Sequence, residues 1–135
     1  MWTLVGFLSG SVPWSLILSK YISGKDARDV GDGNPGATNA WISSGWLVGI
    51  LAMILDIGKA TIPVWFLMSS LDPSSFADHL LTAIGVISPV LGHAWSPFLR
   101  FKGGKALASS WGSWIAITYG LAFPVALVIL GMMHL

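Results

Sequence analysis

The chain has 135 residues, of which 54% are hydrophobic and only 10% charged, and its net charge is +1. A water-soluble domain carries about 25% charged residues, so a fully solvated globule is excluded, and a near-neutral charge gives no sign of nucleic-acid binding. The chain contains neither cysteine nor glutamate, which excludes disulfides and thiolate chemistry and leaves any carboxylate chemistry to Asp26, Asp29, Asp32, Asp56, Asp72 or Asp78.

Residues 2–19 contain no Lys, Arg, Asp or Glu, and about 20 apolar residues suffice to cross a hydrocarbon core roughly 30 Å thick. Residues 2–20 are therefore the first expected membrane span. Its first charge is Lys20, and without a positively charged start it is not expected to be a cleaved signal peptide. Residues 42–70 form the second, interrupted only by Asp56 and Lys59. These two lie three residues apart on one helical face. A mutual ion pair is their expected state at membrane depth, with a proton or ion path as the sharper alternative. Residues 79–97 form the third span. His93 near its end reads either as a helix–helix hydrogen-bonding residue or as a functional one. Residues 106–133 form the fourth, about 42 Å long at 1.5 Å per residue, so it must tilt, kink near Pro124, or begin in the interface. The expected fold is a single all-α domain, a polytopic helical membrane protein of about four transmembrane helices.

The connecting loops differ in character. Residues 20–40 and 98–105 hold six of the seven basic residues, whereas 71–78, LDPSSFAD, holds none. An excess of Lys and Arg marks the cytoplasmic side. The N-terminus is thus expected outside, with both basic loops meeting on the cytoplasmic face. Trp41, Trp46, Trp95, Trp111 and Trp114 flank them like an interfacial aromatic belt.

The stretch GDGNPGATN places Gly31, Gly33 and Gly36 within six residues. Such glycines allow positive φ and close backbone approach to a ligand, and exposed N–H groups can form an anion nest. Asn34, Thr38 and Asn39 add short hydrogen-bonding side chains, although a flexible connector would have a similar composition. The stretch RFKGGKALASS sets Gly103 and Gly104 between Lys102 and Lys105 and opens onto the fourth helix. A helix N-terminus with added lysines suits phosphate; the plainer reading is juxtamembrane charge touching anionic lipid heads. The GxxxxGK[ST] form is absent, so nucleotide binding is not implied. There is no GxSxG elbow, neither His79 nor His93 has an aspartate five residues later, and the histidines lack HxxxH or HExxH spacing, so no metal centre is expected.

Four segments, GSVP (10–13), DARDVGDGNPGATN (26–39), DIGK (56–59) and GHAWSPFLRFKGGKALA (92–108), resemble in order and spacing the bacterial acyl-phosphate:glycerol-3-phosphate acyltransferases. The resemblance covers roughly residues 6–112. It implies a multi-pass enzyme of phospholipid biosynthesis in the cell inner membrane. Such an enzyme moves a fatty acyl group from acyl phosphate to glycerol 3-phosphate, making lysophosphatidic acid, with no cofactor. By the same resemblance Gly103, Gly104 and Lys105 form the glycerol-phosphate loop, aided by Lys102 and His93. Gly33, Asn34, Gly36, Thr38 and Asn39 line the same pocket. An activated acyl donor needs no protein nucleophile; the base is substrate phosphate or Asp32. The family carries serine at the place of Asp32 and arginine near Ile42, and it continues to a C-terminal block with histidine and asparagine. A helical partner supplying that block is therefore a further expectation. The alternative reading is a catalytically impaired paralogue or fragment that binds lipid phosphate or pairs with another membrane protein.

Overall fold

The computed structural model describes residues 1–72 and 74–121, and every regular element among them is helical. Three stretches, Trp2–Ser23, Trp46–Ser69 and Phe76–Leu99, are long and apolar enough to cross a membrane.

The first is two helices, not one. α1 (Trp2–Ser11) stops at Val12, and α2 (Trp14–Ser23) begins after Pro13. Proline has no N–H to extend the ladder and clashes with the preceding turn. A break inside a membrane leaves polar backbone that lipid cannot satisfy. Here the neighbours satisfy it: Lys59 Nζ donates to the Val12 carbonyl at 2.7 Å and Ser96 Oγ to the Ser11 carbonyl at 2.6 Å. α2 ends at Gly24, whose φ of 69° lets its N–H reach the Lys20 carbonyl at 3.0 Å.

The second expected span is also divided. α3 (Ala37–Ser44) is a short helix separated by Gly45, at φ 94°, from the long α4 (Trp46–Ser69). α5 (Phe76–Ala94) starts earlier than its hydropathy suggests because Ser75 caps it, accepting the Asp78 N–H at 3.4 Å. Of the fourth expected span, α6 (Leu107–Ile117) is described. The stretch from 122 onward, including Pro124, lies outside the described residues.

Packing follows the solvent. Large aliphatic and aromatic side chains such as Leu4, Ile54, Ile84 and Trp114 face outward, while the interior is built from Ala27, Ala40, Ala52 and Ala60 with Ser11, Ser15, Ser109 and Ser113. Lipid is as apolar as leucine, so helices associate through small residues that allow close approach and through interhelical hydrogen bonds. α1 meets α5 this way: a Cβ on Gly10 would collide with the Pro89 backbone, and one on Gly92 with the Phe7 carbonyl. α6 is tied to α4 by Thr61 Oγ1 donating to the Gly112 carbonyl at 3.0 Å, and to α5 by Ser113 Oγ donating to the Val86 carbonyl at 2.9 Å.

Candidate functional site

The two glycine-rich loops, far apart in sequence, meet at one end of this bundle. The backbone N–H of Lys105 donates to Asn34 Oδ1 at 3.1 Å, and Lys105 Nζ reaches Asp32 Oδ2 at 2.6 Å. Between the loops and α4 lies a pocket of about 560 Å³.

Asn39 organises the first loop. Its Nδ2 donates to Asp32 Oδ1 at 3.0 Å and to the Asn34 carbonyl at 2.9 Å, while the Asn34 N–H donates to Asp32 Oδ1 at 3.1 Å. Gly31 has φ 60°, and a Cβ there would strike the Asn39 carboxamide, so the loop requires glycine on both counts. The Lys105 ammonium, followed by the Asn34 and Asn39 donors, holds the Asp32 carboxyl down at about 2. In this arrangement Asp32 is the counter-ion of Lys105, and a carboxylate of that strength accepts a proton poorly at neutral pH. Arg28 is committed elsewhere: its guanidinium holds Asp26 through Nε at 3.0 Å and a second contact at 2.6 Å, and lowers that carboxyl to about 2 as well.

The second loop is tightly constrained. Arg100, Phe101 and Ala106 all have φ between 54° and 61°, a region side-chain-bearing residues seldom occupy and one that clusters at functional sites. The N–H groups of Gly103 and Gly104 donate to the Ala94 and His93 carbonyls, each at 3.1 Å. They therefore cap the end of α5 and do not point at the pocket as an anion nest would. Glycine at 103 serves close approach, since a Cβ there would collide with the His93 carbonyl.

Of the residues singled out from sequence, Asp32, Asn34, Gly36, Thr38, Asn39, His93 and Lys105 line the pocket. Gly33, Gly103 and Gly104 shape the loops behind it, and Lys102 is exposed and outside it. Lys105 is the lining cation among the described residues; Ile42 is a lining residue and apolar. Sequence reasoning missed the floor. The Asp56 carboxylate edges the pocket beside His93, whose Nδ1 lies 4.0 Å from Asp56 Oδ1 and 3.3 Å from Ser109 Oγ. Lys59 Nζ stands 2.7 Å from the same Oδ1, although not aligned as a hydrogen bond, so that oxygen has no directed donor. DIGK carried the signal, but spacing alone showed a pair and not a pocket wall. Met53, Ile57, Leu107 and Trp111 supply an apolar side. Polar loops at one end and apolar walls along α4 and α6 suit an amphipathic pair of ligands, one anionic and one carrying a hydrocarbon chain.

The sequence profile of the family described as glycerol-3-phosphate acyltransferase matches residues 1–135. Glycerol-3-phosphate acyltransferase 1 of Thermotoga maritima is 44% identical over 114 residues, 84% of this chain and 55% of its own length. The glycerol-3-phosphate acyltransferase of Thermotoga petrophila is 36% identical over 129 residues, 95% of this chain and 61% of its own. Among solved structures, the glycerol 3-phosphate form of PlsY (YgiH), an integral membrane glycerol 3-phosphate acyltransferase, is similar with a TM-score of 0.85 at 33% identity, covering 97% of this chain and 63% of that one. Its lysophosphatidic acid form gives a TM-score of 0.82 at 30% identity. The chain thus spans less than two thirds of the length of these relatives.

Proposed function

We propose, for a chain that belongs to the glycerol-3-phosphate acyltransferase family, that its two-loop pocket binds glycerol 3-phosphate and serves transfer of a fatty acyl group from acyl phosphate, giving lysophosphatidic acid. The observation that carries this reading is the convergence of Lys105 and Asn34 from separate loops on one pocket with apolar walls. An acyl phosphate is already activated. The site has to hold two phosphate-bearing molecules so that an acceptor hydroxyl meets the acyl carbonyl in line. A C–O bond forms there, the bond from carbonyl carbon to phosphate oxygen breaks, and the hydroxyl proton leaves with the departing phosphate. Lys105 supplies the point charge for the acceptor phosphate, and Asp32, its resident counter-ion, gives way as that phosphate arrives. Asn34, Thr38 and Asn39 provide neutral hydrogen bonds at the same end. Gly33, Gly36, Gly103 and Gly104 let the loops close on each other. Lys102 adds field at the mouth, and the side chains along α4 and α6 accommodate the acyl chain. In this proposal the loops face the cytoplasm and the N-terminus lies outside.

The test is transfer of label from glycerol 3-phosphate into lysophosphatidic acid by the chain in lipid nanodiscs, supplied with a fatty acyl phosphate. It is run with and without the C-terminal helices of the Thermotoga maritima relative. The expected result is glycerol 3-phosphate binding by the chain, and product when those helices are present. Neither binding nor product under either condition would overturn the reading. For sidedness, single cysteines at Ser23 and Ser74 in the Cys-free chain are labelled on whole cells with an impermeant thiol reagent, and position 74 is expected to react while 23 stays protected.

A further inference from the structure

His93 lines the pocket, and the hydrogen bonds around it decide which ring nitrogen carries the proton. Ser109 Oγ, wholly buried, lies 3.4 Å from the Asp56 carbonyl oxygen and 3.3 Å from His93 Nδ1. A hydroxyl has one proton and two lone pairs, and a carbonyl can only accept. The Ser109 proton therefore goes to the Asp56 carbonyl, leaving lone pairs for an Nδ1–H. The Asp56 carboxylate, 4.0 Å from Nδ1, favours a proton on that same nitrogen, and Lys59 holds the carboxylate in place at 2.7 Å. A neutral imidazole protonated at Nδ1 has a bare lone pair at Nε2. That atom lies at the junction of the two loops: a Cβ on Gly104 would stand 2.5 Å from Nε2 and 3.2 Å from Asn34 Oδ1. Nε2 meets no hydrogen-bond partner among the described residues.

The geometry points to His93 as a specificity residue. Its Nε2 accepts a hydrogen bond from a hydroxyl of a polyol phosphate whose phosphate end sits at Lys105, and Ser109 and Asp56 are positioning residues that hold the tautomer. The inference rests on the glycerol-phosphate reading of the pocket and deepens it. A lysine ammonium attracts any phosphate, so Lys105 cannot tell a polyol phosphate from an alkyl phosphate. A buried acceptor that an alkyl chain leaves unmatched can.

Binding of glycerol 3-phosphate is compared with that of propyl phosphate, which has the same phosphate and no alcohol hydroxyl, by calorimetry on the chain in nanodiscs. Unsubstituted protein is expected to prefer glycerol 3-phosphate by roughly five- to tenfold, the worth of about one hydrogen bond. His93→Leu should reduce that ratio to about one with propyl phosphate binding unchanged, and His93→Gln, with an amide oxygen near the place of Nε2, should restore it. A preference that survives His93→Leu overturns this inference alone, whereas binding of neither phosphate overturns the pocket reading with it. A second measurement leaves position 93 intact. In a chain carrying His79→Gln and His134→Gln, 15N spectra of the remaining histidine ring should show the proton on Nδ1, and a proton on Nε2 overturns the assignment.

Discussion

Two lysine–aspartate pairs of nearly equal length each bring an aspartate to this pocket, in opposite environments. Lys105 and Asp32 meet at 2.6 Å with side chains 65% and 49% exposed; Lys59 and Asp56 meet at 2.7 Å with side chains 3% and 2% exposed. Water screens the first pair and supplies either ion with substitute partners, so under the proposed function the substrate phosphate replaces the carboxylate at little loss. The second pair has no such substitute. Its lysine also binds the carbonyl freed by the Pro13 break, and its aspartate also faces His93. Chemistry alone would call the pairs alike, but solvent makes one an exchangeable ligand and the other a fixed part of the bundle.

The largest expected effect falls on the buried pair. Lys59→Met strands the Asp56 charge, and Asp56→Leu strands the lysine; each should destabilise by about 3–5 kcal/mol. Thermal unfolding in detergent measures this, and the double variant should recover much of the loss. Additive losses would mean that the two ions do not act as a pair. Lys105→Gln comes next, with about ten- to a hundredfold weaker glycerol 3-phosphate binding by calorimetry, the range of a charge-assisted hydrogen bond. Its unfolding temperature should hardly move, because an exposed pair contributes about 0–1 kcal/mol. A clear drop in that temperature would erase the contrast between the pairs.

Gly103→Ala sharpens the contrast from the backbone side. The new methyl meets the His93 carbonyl, so the turn must shift and carry Lys105 with it. Where turnover is measurable, KM for glycerol 3-phosphate should rise several-fold with a smaller change in kcat. Asp32→Ser removes the competing carboxylate, and glycerol 3-phosphate binding should tighten by roughly two- to fivefold as repulsion between carboxylate and phosphate disappears; weaker binding would assign Asp32 a direct role. The smallest effect is that of pH. The Asp32 carboxyl is lowered from 3.8 to about 2, so whatever the pairing contributes is fully present above about pH 4. It is lost only as pH falls toward 2. Asp32 therefore stays ionised from about pH 5 to 8, and the affinity ratio of the unsubstituted chain to Asp32→Ser should change over that range only with the second ionisation of the phosphate, near about pH 6.

Much of this was legible in the chain itself. Charge-free stretches mark the helices, because lipid forbids unpaired backbone and charge over that length. The GDGNPGATN and FKGGK segments announce backbone approach, and DIGK announces a pair one helical turn apart. Helix boundaries were less legible: hydropathy runs straight through Pro13 and Gly45, since apolar content does not register a missing N–H or a positive φ. The role of the FKGGK glycines was also hidden. Their N–H groups are as available to α5 carbonyls as to an anion, and only the position of α5 decides between them.

The sequence by itself determined the solvent in which this protein folds, the helical class and the two loops that carry polar chemistry, because composition and local spacing act within a few residues along the chain. Tertiary structure decided which polar groups face one pocket, that Asp32 is the counter-ion of Lys105, and that His93 stands beside Asp56 and Ser109. Those outcomes depend on hydrogen bonds such as Lys105 to Asn34 and Ser109 to Asp56, formed between residues 71 and 53 positions apart, and no local propensity encodes contacts over such separations.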